Sequence, residues 1–114
     1  MVTVISTTYP RARTEHRCCL CYRTITKGEK YERQFNTFDG NPYVWKSCVH
    51  CTALAELYGP EWWDDGDGWN EDTVHSWEPD TIAGLRAKVM WQRGWTRRDG
   101  DLYPIPEAPE QVAA

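Results

Sequence analysis

Two cysteine pairs of identical spacing, Cys18-x2-Cys21 and Cys48-x2-Cys51, stand 26 residues apart. A Cys-x2-Cys turn brings two sulfurs onto one ion. Two such turns supply the four soft ligands, at about 2.3 Å, that Zn²⁺ takes in a closed tetrahedral site, so one structural zinc is the expected cofactor. Disulfides are the competing use of paired cysteines and require an oxidising compartment. The opening residues Met1–Thr8 carry neither the basic stretch nor the long apolar run of a secretory signal, so thiolates in a cytoplasmic protein are the expectation. The ligand set leaves three substitutions open. His16-x2-Cys19 repeats the spacing in another register, and His50 lies inside the second pair. If neither register is used, Cys19 is a spectator thiol.

The elements that must hold these sulfurs can be read from the flanking residues. Thr24-Ile25-Thr26-Lys27-Gly28-Glu29-Lys30 reads as a turn, with Gly28 free to take a positive φ where the chain leaves the first pair. Tyr31, Arg33 and Phe35 then alternate with Glu32 and Gln34, the period of a strand. Asp39-Gly40-Asn41-Pro42 is turn chemistry, and Tyr43-Val44-Trp45-Lys46 returns as a second strand of a hairpin. Ser47 is a suitable N-cap for a helix carrying Cys48, Cys51, Leu54 or Ala55, and Tyr58, with Gly59-Pro60 expected to stop it.

Knuckle, hairpin and a helix whose first turn donates two ligands form an order that resembles the treble-clef class of zinc fingers. The run Cys18-Cys19-Leu20-Cys21, Ile25-Thr26-Lys27-Gly28-Glu29, Trp45 and Cys48-Val49-His50-Cys51 is also loosely similar to the zinc fingers of poly(ADP-ribose) polymerases. Those fingers use histidine as the third ligand where Cys48 stands here, so their recognition of DNA breaks is not carried over. Over residues 14–104 the general pattern resembles small zinc-binding proteins of actinobacterial bacteriophages. That resemblance implies a host protein as partner and the host cytoplasm as location.

The fold class expected is α+β: a small zinc-stabilised treble clef with a C-terminal helix and a short β-hairpin. It divides into an N-terminal arm (1–13), the cysteine-bearing unit (14–59), an acidic Trp-rich connector (60–79), a helix plus hairpin packed on the finger (80–104) and a flexible tail (105–114). About 45 residues with few aliphatics cannot offset a backbone ordering cost of about 1–2 kcal/mol per residue, whereas zinc contributes on the order of 10–16 kcal/mol in finger peptides. Tyr31, Phe35, Trp45, Leu54, Leu57 and Tyr58 are the expected apolar cap beside the ion. No stretch is long and apolar enough to span a membrane.

Charge is laid down in blocks: residues 1–51 carry 8 basic and 4 acidic side chains, 52–85 carry none and 9, and 86–114 carry 5 and 4. The acidic block includes Glu61-Trp62-Trp63-Asp64-Asp65-Gly66-Asp67-Gly68-Trp69-Asn70-Glu71-Asp72. No register of it meets the order of an EF-hand calcium loop. Three tryptophans among carboxylates suit a contact surface for a basic partner. Farther on, Asp80 or Thr81 is expected to cap a helix that packs through Ile82, Leu85, Val89 and Met90 and ends at Gly94. His75 is an isolated, structural histidine, and Asp99-Gly100 marks a hairpin over 95–103.

Three function classes compete. Enzymes are least supported: no phosphate-cradling or nucleophile motif is present, four thiolates leave zinc no open position, and residues 29–46 lack the hairpin histidine of treble-clef HNH nucleases. Nucleic-acid binding is the second class, with Arg11, Arg13, Arg17, Arg23, Lys27, Lys30, Arg33 and Lys46 as phosphate contacts and Tyr22 or Tyr31 for stacking. A formal charge of −4 and a pI near 5.3 oppose it. The leading expectation is a non-enzymatic, protein-binding module presenting Trp62, Trp63, Asp64, Asp65, Asp67 and Trp69. A second copy of the chain is the other partner considered.

Overall fold

A computed structural model of the chain describes residues 2–62 and 70–107. The strands are β1 (Val2–Thr8), β2 (His16–Arg17), β3 (Thr24–Ile25), β4 (Tyr31–Phe38) and β5 (Asn41–Cys48). The helices are α1 (Val49–Trp62), α2 (Glu71–Ser76) and α3 (Ile82–Gln92). The result is a small α+β fold with one antiparallel sheet in the order β1-β4-β5 and a two-stranded ribbon of β2 and β3. Trp63, Asp64, Asp65, Asp67 and Trp69 lie outside the described residues, as does the tail beyond residue 107.

The hairpin follows from its turn. Asp39 and Gly40 sit at φ 51° and 84°, the two left-handed residues of a type I′ turn, whose twist matches that of the flanking strands. Phe38 therefore pairs with Asn41, and the register runs without interruption to Tyr31 opposite Cys48. The sheet thus delivers Cys48 to the first residue before α1. Gly28, at φ 94°, turns the chain back from β3, and its N–H bonds the carbonyl of Ala12 at 2.8 Å.

Residues 2–8 are not an arm. They form a third strand on β4, in register from Val2 opposite Phe38 to Thr8 opposite Arg33, with a bulge at Ile5. Every residue of this run except Ser6 is β-branched, which favours the extended backbone even without a buried face. Nor does Gly59-Pro60 end α1, which continues to Trp62. Pro60 stands two residues from that end, where its missing N–H removes a single i→i−4 hydrogen bond.

The connector also holds structure that was not expected. Asn70 accepts from the Thr73 N–H at 3.0 Å and starts α2, while Glu71 and Asp72 place negative charge at its N-terminus. Lys88 Nζ donates to the carbonyls of His75 and Trp77 and so closes the other end. In α3 the N-cap is Thr81, whose Oγ1 accepts from Gly84 N–H at 3.0 Å, and Gly94 at φ 61° ends the helix as expected. The 95–103 segment is a tight turn with one bridge, Thr96 to Leu102, in place of a two-stranded hairpin.

Of the four residues expected on the packing face of α3, Met90 packs against the core and the other three do not. Gly84, Ala87 and Trp91 are buried, whereas Ile82, Leu85 and Val89 are 72%, 54% and 38% exposed. The cause is close approach. A Cβ at Gly84 would meet Thr81 Oγ1 at 3.1 Å, Pro79 Cβ at 3.2 Å and the Trp77 ring at 3.3 Å. Small residues on this side of α3 admit the buried indole of Trp77, and the branched side chains are turned outward. Trp95, fully buried, joins this layer to Cys18, Leu20, Ile25, Cys48, Cys51 and Leu54 in one core.

Candidate metal centre

Cys18 and Cys21 sit in the knuckle between β2 and β3. The Tyr22 N–H bonds the Cys18 carbonyl at 3.0 Å, and the Cys18 N–H bonds the Arg23 carbonyl at 2.9 Å. Tyr22 closes the turn at φ 64°, a conformation strained for a ring-bearing residue, and its hydroxyl bonds Glu71 of α2. Cys48 ends β5, and Cys51 lies in the first turn of α1. Ser47 is not the cap of that helix. The Cys51 N–H points at Cys48 Sγ, 3.4 Å away, so a sulfur occupies the position a serine hydroxyl would take at an N-cap.

The four Sγ atoms lie within 4.8 Å of one another, and Cys21 Sγ stands 3.8 Å from Cys48 Sγ. A tetrahedron of sulfurs about 2.3 Å from its centre has edges of about 3.8 Å, so the donor set fits a four-coordinate soft cation. Three of the four cysteines are fully buried, and only Cys21 is partly open. Several N–H groups point at sulfur. Leu20 N and Cys48 N donate to Cys18 Sγ at 3.4 and 3.3 Å, and the indole Nε1 of Trp95 donates to Cys51 Sγ at 3.3 Å. Such bonds spread thiolate charge and fix each sulfur's direction.

Proton affinities show the same crowding. The Cys48 thiol is held far below the usual thiol range, first by its contact with Cys18 and then with Cys21 and Cys51. The contact with Cys18, followed by that with Cys48, drives Cys21 far up, and burial leads the causes that raise Cys51. Four sulfurs at this distance cannot all ionise against each other. A divalent cation among them removes that conflict, which is why binding one releases protons.

Neither His16, Cys19 nor His50 belongs to the cluster. Cys19 Sγ instead accepts from Lys46 N–H at 3.4 Å, and burial raises its pKa. The His16 ring lies against Tyr31, with Nδ1 3.1 Å from Lys46 Nζ. His50 is buried beside Trp95; its Nε2 lies 2.7 Å from the Tyr103 carbonyl and its Nδ1 3.4 Å from Arg23. These two contacts tie the C-terminal turn to the knuckle.

The basic residues separate into groups that sequence alone could not distinguish. Arg23 forms a two-pronged pair with Glu29, at 2.9 and 3.2 Å, and its side chain is 7% exposed, so it is not free to meet a phosphate. Burial opposes its charge, but Glu29 and Cys48 outweigh that and raise its pKa. Arg17 donates to the Tyr22 carbonyl, and Lys27 lies in the exposed turn before Gly28. Two basic pairs are brought face to face: Arg33 and Lys46 as directly opposed residues of β4 and β5, and Arg11 and Lys30 across a single bridge, where Arg11 also donates to the Gly28 carbonyl. Of the six residues expected to contact a partner, Trp62 is the last of α1 and the other five are outside the described segments.

Sequence reasoning missed Trp95 and His50 as supports of the centre. A tryptophan 44 positions from its sulfur partner carries no spacing signal. Compared with protein-family models, curated proteins and solved structures, the chain matches none.

Proposed function

We propose that the protein is a non-enzymatic binding module, folded as a treble clef around one structural zinc ion, that acts by docking on another protein. The order of knuckle, hairpin and helix, with two sulfurs from each end, supports the treble-clef reading. Four cysteine donors complete a tetrahedron and leave no position for water, which suits a structural ion better than a catalytic one. When bound, that ion supplies folding free energy.

The observation that carries the docking reading is the outward face of α3. Ile82, Leu85 and Val89 recur at i, i+3 and i+7 and stay exposed, an aliphatic stripe of the kind a helix lays into a partner's groove. The acidic tryptophan segment, with Trp62, Trp63 and Trp69, adds a second contact of different chemistry. The resemblance to phage proteins makes a protein of the infected cell the expected partner, with a second copy as the competing one. Quantitative cross-linking and capture from host lysate tests this, with light scattering of the purified chain to score self-association. Leu85→Asp with Ile82→Asp should remove the captured protein while zinc content stays at one per chain. Retention of the same partner by that variant, and by Trp62→Ala, Trp63→Ala, Trp69→Ala, would overturn the reading.

A further inference from the structure

The β1-β4-β5 sheet has two chemically opposite faces. Directly opposed residues share a face, and neighbours along a strand alternate. One face therefore carries the rows Thr8–Arg33–Lys46, Ser6–Phe35–Val44 and Thr3–Thr37–Pro42. None of these nine residues is acidic. Glu32 and Ser47 belong to the other face, where α1 lies. Thr52 Oγ1 of α1 reaches Ser47 Oγ at 3.4 Å, and Glu32 shares a cleft with Val49 and Thr52. Glu56 of α1 lies on that side too, close enough to Glu32 to raise its pKa after burial has done so. The helix and these carboxylates are thus on one side, and the cationic face is on the other.

On the open face Arg33 and Lys46 oppose each other as like charges, an arrangement that weakens a strand pair. Neither takes part in the ion pairs found among the described residues. The His16 ring meets Lys46 Nζ through Nδ1 at 3.1 Å, which fixes the position of the ammonium. One row along, the half-buried Phe35 and the 38% exposed Val44 form an apolar step. Hydroxyls of Thr8, Ser6, Thr3 and Thr37 border it.

We infer that this face binds single-stranded nucleic acid, with Arg33 and Lys46 on backbone phosphates and the Phe35 ring under a base. A guanidinium offers a fork to phosphate oxygens and an ammonium offers a point charge. The hydroxyls suit phosphate and sugar oxygens. The part of the Phe35 ring left open to solvent can stack on an unpaired base, which a duplex keeps inside its own stack and an acidic peptide lacks. This surface is distinct from α3, so the chain would bridge a nucleic-acid strand and a protein.

Fluorescence anisotropy of a labelled 15-nucleotide oligo-dT, titrated with the zinc-loaded full chain between 50 and 200 mM salt, tests the inference. Two neutralised phosphates on a single strand predict a log–log salt slope of about −1.4. Arg33→Gln and Lys46→Gln should each weaken binding about tenfold and bring the slope to about −0.7. Phe35→Ala should weaken binding at least fivefold with the slope unchanged. Lys27→Gln and Leu85→Asp, off this face, should leave binding as it was, which separates the result from the fate of the docking reading. Zinc content and far-ultraviolet circular dichroism confirm that each variant is folded. The inference is overturned by no anisotropy change at 50 mM salt, by wild-type affinity in Arg33→Gln and Lys46→Gln, or by equal competition from polyglutamate or a duplex of the same length.

Discussion

The two halves of the molecule are held by different means. From Ala12 to Leu54, order comes from sulfur: two tight turns, a hairpin and a helix start converge on four Sγ atoms, and the chain's own N–H groups are aimed at them. From Asn70 to Tyr103, order comes from tryptophan. Trp77, Trp91 and Trp95 are each at least 95% buried, among short helices with conventional caps. The first half would have little reason to stay folded without an ion, and the second has too few residues to stand alone. They meet at Trp95, which is packed by the second half and hydrogen-bonded to Cys51 Sγ, one of the four clustered sulfurs of the first. The lesson is that a small fold centred on clustered sulfurs extends itself by burying a polar-edged aromatic against that cluster.

The most severe way to break this comparison is to remove the ion. Chelation, or Cys48→Ser, should abolish the folded state of the first half, given the 10–16 kcal/mol or so that a structural zinc contributes. Because Trp95 leans on Cys51, the tryptophan fluorescence of the second half should collapse in the same transition. Persistence of a native-like α3 signal in the apo protein would show two independent units. Trp95→Ala comes next, with an expected loss of about 3–5 kcal/mol in denaturant unfolding and faster transfer of zinc to a chelator. Trp95→Phe keeps most of the ring but not the N–H, so an effect on zinc transfer larger than on stability would isolate the bond to sulfur.

Gly84→Val probes the second half alone. Its Cβ would press on Pro79 and the Trp77 ring, and overpacking of this kind costs about 1–3 kcal/mol; zinc affinity should be unchanged. Thr81→Ala removes the α3 cap and should cost about 1 kcal/mol, visible as faster amide exchange in the first turn of that helix. The mildest perturbation is protonation of Glu29. Burial opposes its charge, but the bonds from Arg23 and Thr26 prevail and lower its pKa. A depressed folded pKa gives stability that is present above the unfolded carboxylate value and is lost as pH falls through the folded one. Thermal melts of wild type and Glu29→Gln should therefore differ at neutral pH, with the difference beginning to shrink below pH of about 4 and closing only below the depressed folded value.

Much of the first half was legible from local signals. The cysteine spacing named the four clustered residues, Asp39-Gly40 announced the hairpin, and Gly28 marked a chain reversal, as Gly94 did in the second half, that the backbone angles bear out. What failed has a common cause. Strand β1 has no apolar alternation because neither face is covered, so only its β-branched content signalled it. The face of α3 was misread because Ile82, Leu85 and Val89 follow the helical period of a buried stripe, while Gly84 and Ala87 pack through close approach rather than bulk. Helix α2 was legible in its Asn70 cap and acidic first turn, but the surrounding charge obscured it.

Sequence alone brought forward Cys18, Cys21, Cys48 and Cys51 as the expected set, because two Cys-x2-Cys turns joined by a hairpin bring their sulfurs together, while the tertiary structure set His16, Cys19 and His50 outside the cluster. Sequence also determined the α+β class, since turn and cap residues act within a few positions of themselves. Only the tertiary structure decided which basic residues are free. Arg23 is consumed by Glu29 and His50, while Arg33 and Lys46 are set side by side on an open face. Partnerships of that kind join residues far apart in the chain, and no local propensity encodes them. They arise when strand register and helix docking fix which side chains share a surface.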